Sequence, residues 1–106
     1  MQVKFIRHIF ANTKLYNMCI IDHTHRNEKG FYVYRGLDKV TLELVYIGTT
    51  VQIPRNRFRW HKANGKDLKF EVIKVCVDAD QMINHEFELI QSLKPKLNKI
   101  THRRQN

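Results

Sequence analysis

Residues 30–36, GFYVYRG, and residues 43–62, ELVYIGTTVQIPRNRFRWHK, decide how this chain is read. FYVYR and ELVYIGT are both rich in β-branched and aromatic residues, each with a glycine beside it. The connection between them contains Gly36 and Asp38, so the simplest arrangement is an antiparallel pair of strands. Pro54 then suits the first turn of a helix, which RNRFRWHKAN continues until Asn64-Gly65 stops it. Further on, KFEVIKVCV reads as a largely buried strand with Phe70, Val72 and Cys76 on different phases. Asp78 or Asp80 caps a second helix, ADQMINHEFELIQSL, which ends before Pro95. Upstream, residues 2–10 read as a strand, although Phe5, Ile6, Ile9 and Phe10 would also suit a helix face. LYNMCII reads as another strand and DHTHRNEKG as a loop. The expected order is β-β-(β-β)-α-β-α, an α+β domain without repeats or linkers.

The bulk numbers limit what such a domain does. The chain has 106 residues, 42% of them hydrophobic, with few Gly and Pro, enough to bury a real core. No apolar run is long enough to span a bilayer, and MQVKFIRHIF is too interrupted by charge to be a secretory signal. Two cysteines, Cys19 and Cys76, make no disulfide framework and read as buried thiols of a reducing compartment. The expectation is a soluble, cytoplasmic protein with no membrane partner. Nineteen Lys and Arg against ten Asp and Glu give a net charge of +9. That balance draws a chain toward phosphate polymers or anionic surfaces. Many small basic proteins merely bind nucleic acid weakly. Here, however, the basic residues fall in PRNRFRWHK as well as in KPKLNK and HRRQN, and the first of these belongs to a folded element.

Several residues allow two readings. On the last helix Met82, Leu89 and Leu93 form an apolar stripe flanked by Ile90, and Glu86 falls in its middle. A carboxylate there is either a boundary residue paired with a nearby Arg or Lys, or one that holds a metal at the rim of a site. His85 beside it does not form HExxH, since HEFEL lacks the second histidine. Arg57 and His61, four apart, share a helix face that is either solvated or part of a site. Tyr32 and Tyr46 are strand residues that pack or react. Trp60 either packs its helix on the sheet or stacks on a base. Cys19, His23, His25 and Cys76 match no common zinc spacing.

Taken in order, GFY (Gly30, Phe31, Tyr32), YIG (Tyr46, Ile47, Gly48), Arg57, His61, Glu86 and KPKLN ending at Asn98 resemble the GIY-YIG nuclease family. The resemblance runs from Gly30 to Asn98 and implies a three-stranded antiparallel sheet flanked by helices. It implies a metal-dependent endonuclease that hydrolyses DNA phosphodiester bonds, leaving 5′-phosphate and 3′-hydroxyl ends. By the same resemblance Tyr32 is the general base for the attacking water, and Tyr46 positions water or the scissile phosphate. Arg57 neutralises that phosphate, and His61 assists proton movement. Glu86 holds one divalent ion, Mg²⁺ or Mn²⁺, and Asn98 supports the site. A tyrosine with a solution pKa of about 10 is a poor base unless nearby positive charge lowers it. Arg57, the metal and a cationic His61 are the expected sources of that charge.

The sequence departs from the family at Phe31, where isoleucine is usual, and at Thr49-Thr50, where a lysine sometimes lies nearby. Residues 1–29 lie outside the resemblance and are expected to form an extension, either a hairpin added to the sheet or an element for dimerisation or DNA contact. Residues 30–98 form the nuclease domain and 99–106 a basic tail. Nucleic acid is expected to meet Arg55, Arg59, Trp60, Lys62, Lys94 and Lys96, with a homodimer or a partner protein supplying specificity. The alternative function is a non-catalytic module of the same fold that binds nucleic acid or protein.

Overall fold

The computed structural model describes residues 22–98. Within them β1 (Phe31–Leu37) and β2 (Leu44–Thr50) are followed by α1 (Pro54–Ala63), β3 (Lys69–Cys76) and α2 (Ala79–Leu93). The sheet has the order β2-β1-β3, with β1 antiparallel to both neighbours. This is the α+β fold expected from the sequence, a three-stranded antiparallel sheet with two helices. The two strands and the hairpin expected before residue 22 lie outside the described residues, as does the basic tail. No helix among the described residues is long and apolar enough to cross a membrane.

Local chemistry explains the boundaries. Pro54 opens α1 where its missing N–H is no loss. The helix ends at Asn64, and Gly65 follows at φ +90°, a conformation that a side chain would strain. Asp78 caps α2 by accepting from the Gln81 N–H at 2.8 Å, while the Gln81 side chain accepts from the Val77 N–H at 3.0 Å. At its other end Lys94 turns left-handed at φ 46° and Pro95 prevents continuation.

Strand alternation sorts the side chains onto two faces. Val33 of β1, Ile47 of β2, and Ile73 and Cys76 of β3 form one buried cluster with Met82 and Ile90 of α2. Tyr32, Tyr34, Phe70 and Val72 form the other with Phe58 of α1. A bulge reconciles these faces with the odd spacing in β3. Val33 pairs with Lys74 and Tyr34 with Val72, so Ile73 is an extra residue on the β3 side. Val75 and Val72, three apart, can therefore lie opposite Tyr32 and Tyr34 respectively on one face. Ile73 and Cys76, also three apart, join the other.

Both outer strands are covered near their middles. Val72 of β3 donates its N–H to the Thr24 hydroxyl at 2.8 Å and accepts from the His23 N–H at 2.9 Å. On β2, the Asn98 side chain bonds both backbone groups of Ile47, accepting at 2.9 Å and donating at 2.8 Å. Leu97 adds a backbone bond to Val45 at 2.9 Å. These residues satisfy edge groups that a bare strand would leave to water.

Candidate active site

The α1 face of the sheet carries the titratable cluster. Tyr34 sits on the central strand, fully buried, opposite Gly48 of the neighbouring strand. A Cβ on Gly48 would lie 2.6 Å from the Tyr34 ring and hydroxyl, so the glycine of YIG is what lets this ring lie across β2. Tyr46, opposite Gly36, stands 6.1 Å from Tyr34 between ring centroids. From α1, one turn apart on the inward side, come Arg57 and His61.

His61 is the hub. Its Nε2 lies 2.6 Å from the Tyr34 hydroxyl, and its ring stands edge-on to Tyr46 at 5.4 Å and stacks on Phe70 at 4.9 Å. Burial, with the positive charges of Arg57 and Lys66 beside it, lowers its pKa to about 4. It is therefore neutral at pH 7, not the cation expected from the sequence. Tyr34 is pushed well above 10, mainly by burial and then by Tyr46, while a hydrogen bond and the charge of Arg57 pull the other way. Arg57 donates to the phenol oxygen, and the phenol proton has two neighbours that can accept it, Nε2 of His61 and the Tyr46 hydroxyl. The Nδ1 of His61 and the Nε of Arg57 are both buried without a hydrogen-bond partner among the described residues.

Of the two β1 tyrosines on this face, Tyr34 is the one in contact with His61. Tyr32 lies on the same sheet face, two residues earlier, but its hydroxyl donates to the Glu28 carbonyl at 2.6 Å. The period-2 alternation makes the two tyrosines equivalent in sequence. What separates them is the hairpin register, which sets Tyr34 opposite Gly48 and Tyr32 opposite Thr50.

Around this core the basic residues take distinct positions. The Arg57 guanidinium lies 4.3 Å from the Trp60 ring centroid, and Trp60 is half exposed rather than wedged between helix and sheet. The Lys66 ammonium lies 4.4 Å over Tyr46, a contact with no sequence signature because it depends on the turn after α1. Arg55 bonds Asn27, Arg59 bonds Asn56 at 3.3 Å, and Lys62 is exposed on the same helix. Lys94 and Lys96 follow the other helix, where Lys94 is the C-cap of α2 and Lys96 pairs with Glu43 at 3.4 Å. Asn98 acts through the backbone of Ile47, next to Tyr46, and so supports the strand that carries YIG.

Glu86 is placed by α2. It is 8% exposed and shares the buried stripe of Met82 and Ile90, which packs on the aliphatic face of the sheet. Tyr34, Tyr46, Arg57 and His61 are thus gathered on one face while Glu86 comes from the helix on the other. Among the described residues no group of three or more His, Cys, Asp or Glu is disposed to hold a metal. A lone carboxylate still fits Mg²⁺, which keeps most of its waters and commonly takes one or two carboxylates plus substrate phosphate. The same donor set suits no structural zinc site. Of the residues weighed for zinc, Cys19 lies outside the described residues, and Cys76 is a buried free thiol. Comparison with models of known families, with curated proteins and with solved structures finds no match for this chain.

Proposed function

We propose that this protein is a metal-dependent endonuclease of the GIY-YIG type, cutting DNA phosphodiester bonds. The observation that carries this reading is the 2.6 Å contact between Tyr34 and a neutral His61, with Arg57 and Tyr46 beside it. A buried phenol with a raised pKa does not ionise to become a base. It can relay, taking a proton from water as it passes its own to Nε2 of His61. The imidazolium formed is disfavoured by Arg57 and Lys66 until a phosphate brings negative charge between them. That coupling restricts base catalysis to the substrate complex.

In the hydrolysis, the water oxygen bonds to phosphorus, the P–O3′ bond breaks, and the departing oxygen ends as a 3′-hydroxyl. Arg57 would pair with the non-bridging oxygens as they gain charge. Trp60, stacked on its guanidinium, limits where that group can point. The divalent ion that the resemblance assigns to Glu86 would lie across the sheet from Arg57, so charge relief at this phosphate falls to Arg57.

The placement of Glu86 on the opposite helix favours a second reading, a non-catalytic module that holds nucleic acid or protein. Supercoiled plasmid separates the two. Under the first reading the wild type nicks it with Mg²⁺ or Mn²⁺, EDTA stops the reaction, and Glu86→Ala loses nicking while still shifting DNA in a gel. Equal DNA binding by both proteins with no nicking in either metal would leave the module standing instead.

A further inference from the structure

Beyond His61 on the same face lies a recess of about 490 Å³ lined by Lys39, Phe58, Lys62, Leu68, Lys69 and Phe70. Its floor is apolar and aromatic, and its rim carries three lysines drawn from the β1–β2 connection, α1 and β3. The acidic residues paired with the rim are Asp67, 2.7 Å from Lys39, and Glu71, 3.6 Å from Lys69. Glu71 is also engaged by Arg35 at 2.6 Å. The rim therefore keeps a surplus of positive charge over an apolar floor. Phe70 joins the recess to the candidate active site, because its ring stacks on Phe58 at 5.1 Å and on His61 at 4.9 Å.

An apolar wall with aromatic edges and a cationic rim complements one ligand chemistry in particular, a base attached to a phosphate. In a paired duplex the faces of the bases are covered by their neighbours, so a recessed wall cannot reach them. A base splayed out of the stack can enter, with its phosphate left at the rim. We infer that the Lys39–Lys62–Lys69 recess holds an unpaired nucleotide of the DNA strand, next to the phosphate met by Arg57, so that the protein favours DNA with an unpaired base. This rests on reading the α1 side as a nucleic-acid surface. It adds Lys39 and Lys69, on β1 and β3 borders, to the DNA-contacting residues.

The test is a binding measurement in EDTA, which does not depend on cutting. Fluorescence anisotropy compares a duplex, the same duplex with one unpaired nucleotide, and a free mononucleotide as competitor. The wild type should prefer the unpaired-nucleotide duplex by about tenfold, within the range that one stacked base supplies. The Lys39→Ala, Lys69→Ala double variant should bring that ratio to about one. Both lysines are about half exposed, so the variant should fold, and its melting curve checks this. The inference fails if the wild type binds both duplexes alike, or if the variant weakens both equally, the mark of phosphate attraction alone. It also fails if the mononucleotide competes as well as the unpaired-nucleotide duplex, since the recess would then hold a free nucleotide. Selective binding without nicking would sink the nuclease reading and leave this inference standing. Nicking with no preference would do the reverse.

Discussion

The two helices cover the two faces of one small sheet with opposite chemistry. α1 brings Arg55, Arg57, Arg59 and Lys62 and no carboxylate, and it meets a face built of Tyr32, Tyr34, Phe70 and Val72. α2 brings Asp80, Glu86 and Glu88 and no Lys or Arg, and it meets Val33, Ile47, Ile73 and Cys76. The aliphatic side is the kind of packing that holds a domain together, since burying branched side chains is favourable and needs no partners. The aromatic side buries hydroxyls and an imidazole, and leaves the His61 Nδ1 and the Arg57 Nε without a hydrogen-bond partner among the described residues. Buried polar atoms without partners cost stability. The division teaches that, on the proposed function, substitutions on the aromatic face should change activity and those on the aliphatic face stability.

The sharpest break of that division is Tyr34→Phe. It removes the hydroxyl at His61 and little volume, and should lower nicking by about 10²- to 10⁴-fold, with a stability cost of about 1–3 kcal/mol from the buried partners it leaves behind. Single-turnover plasmid nicking measures it, and wild-type rates from the variant would remove Tyr34 from the chemistry. On the other face, Ile90→Ala should cost about 2–5 kcal/mol of stability, read by urea unfolding, with DNA affinity unchanged in the fraction that remains folded. A loss of affinity larger than the loss of folded protein would show that the faces are coupled.

Acid provides a subtler test. Since His61 titrates at about 4 when folded, against 6.5 ordinarily, the unfolded chain takes up a proton between those values that the native state refuses. Stability from this group is therefore whole above pH 6.5 and declines as pH falls through 4, by about 3 kcal/mol in total. His85, lowered mainly by burial, contributes in the same direction from the α2 side. His61→Asn should flatten the pH dependence of unfolding more than His85→Asn does; equal effects would contradict the larger shift at His61. The smallest effect is expected from Tyr32→Phe, which loses one bond to the Glu28 carbonyl and about 1 kcal/mol. Its nicking rate should match the wild type, and a drop like that of Tyr34→Phe would restore Tyr32 to the site.

Much of the fold could be read beforehand because its signals are local. Pro54, Asn64-Gly65, Asp78 and Pro95 mark helix ends by their own backbone chemistry, and the strand runs are short and strongly β-prone. The site was readable only in part. Arg57 and His61 share a face at any helix spacing of four, so their meeting was expected. The choice between Tyr32 and Tyr34 was not available, because alternation puts both on one face and only the pairing with Gly48 separates them. The charge of His61 also depends on its setting, since neutrality comes from burial beside Arg57 and Lys66 after the turn at Gly65 has folded back. Glu86 stood out as an anomaly on its stripe, but no pattern along the helix says which sheet face the stripe will meet.

The bonds at Val72 and Ile47 have a consequence for how this chain behaves in a crowd. A three-stranded sheet with bare outer strands is a template on which further copies can add, strand by strand, toward fibres. Here the outward backbone groups at the middle of β3 are taken by His23 and Thr24, and those of β2 by Leu97 and Asn98. The amide of Asn98 serves both N–H and C=O of Ile47 from one side chain, as a strand residue would. Growth by edge addition must first displace these segments, so the same contacts that steady YIG also guard the protein against self-templated aggregation.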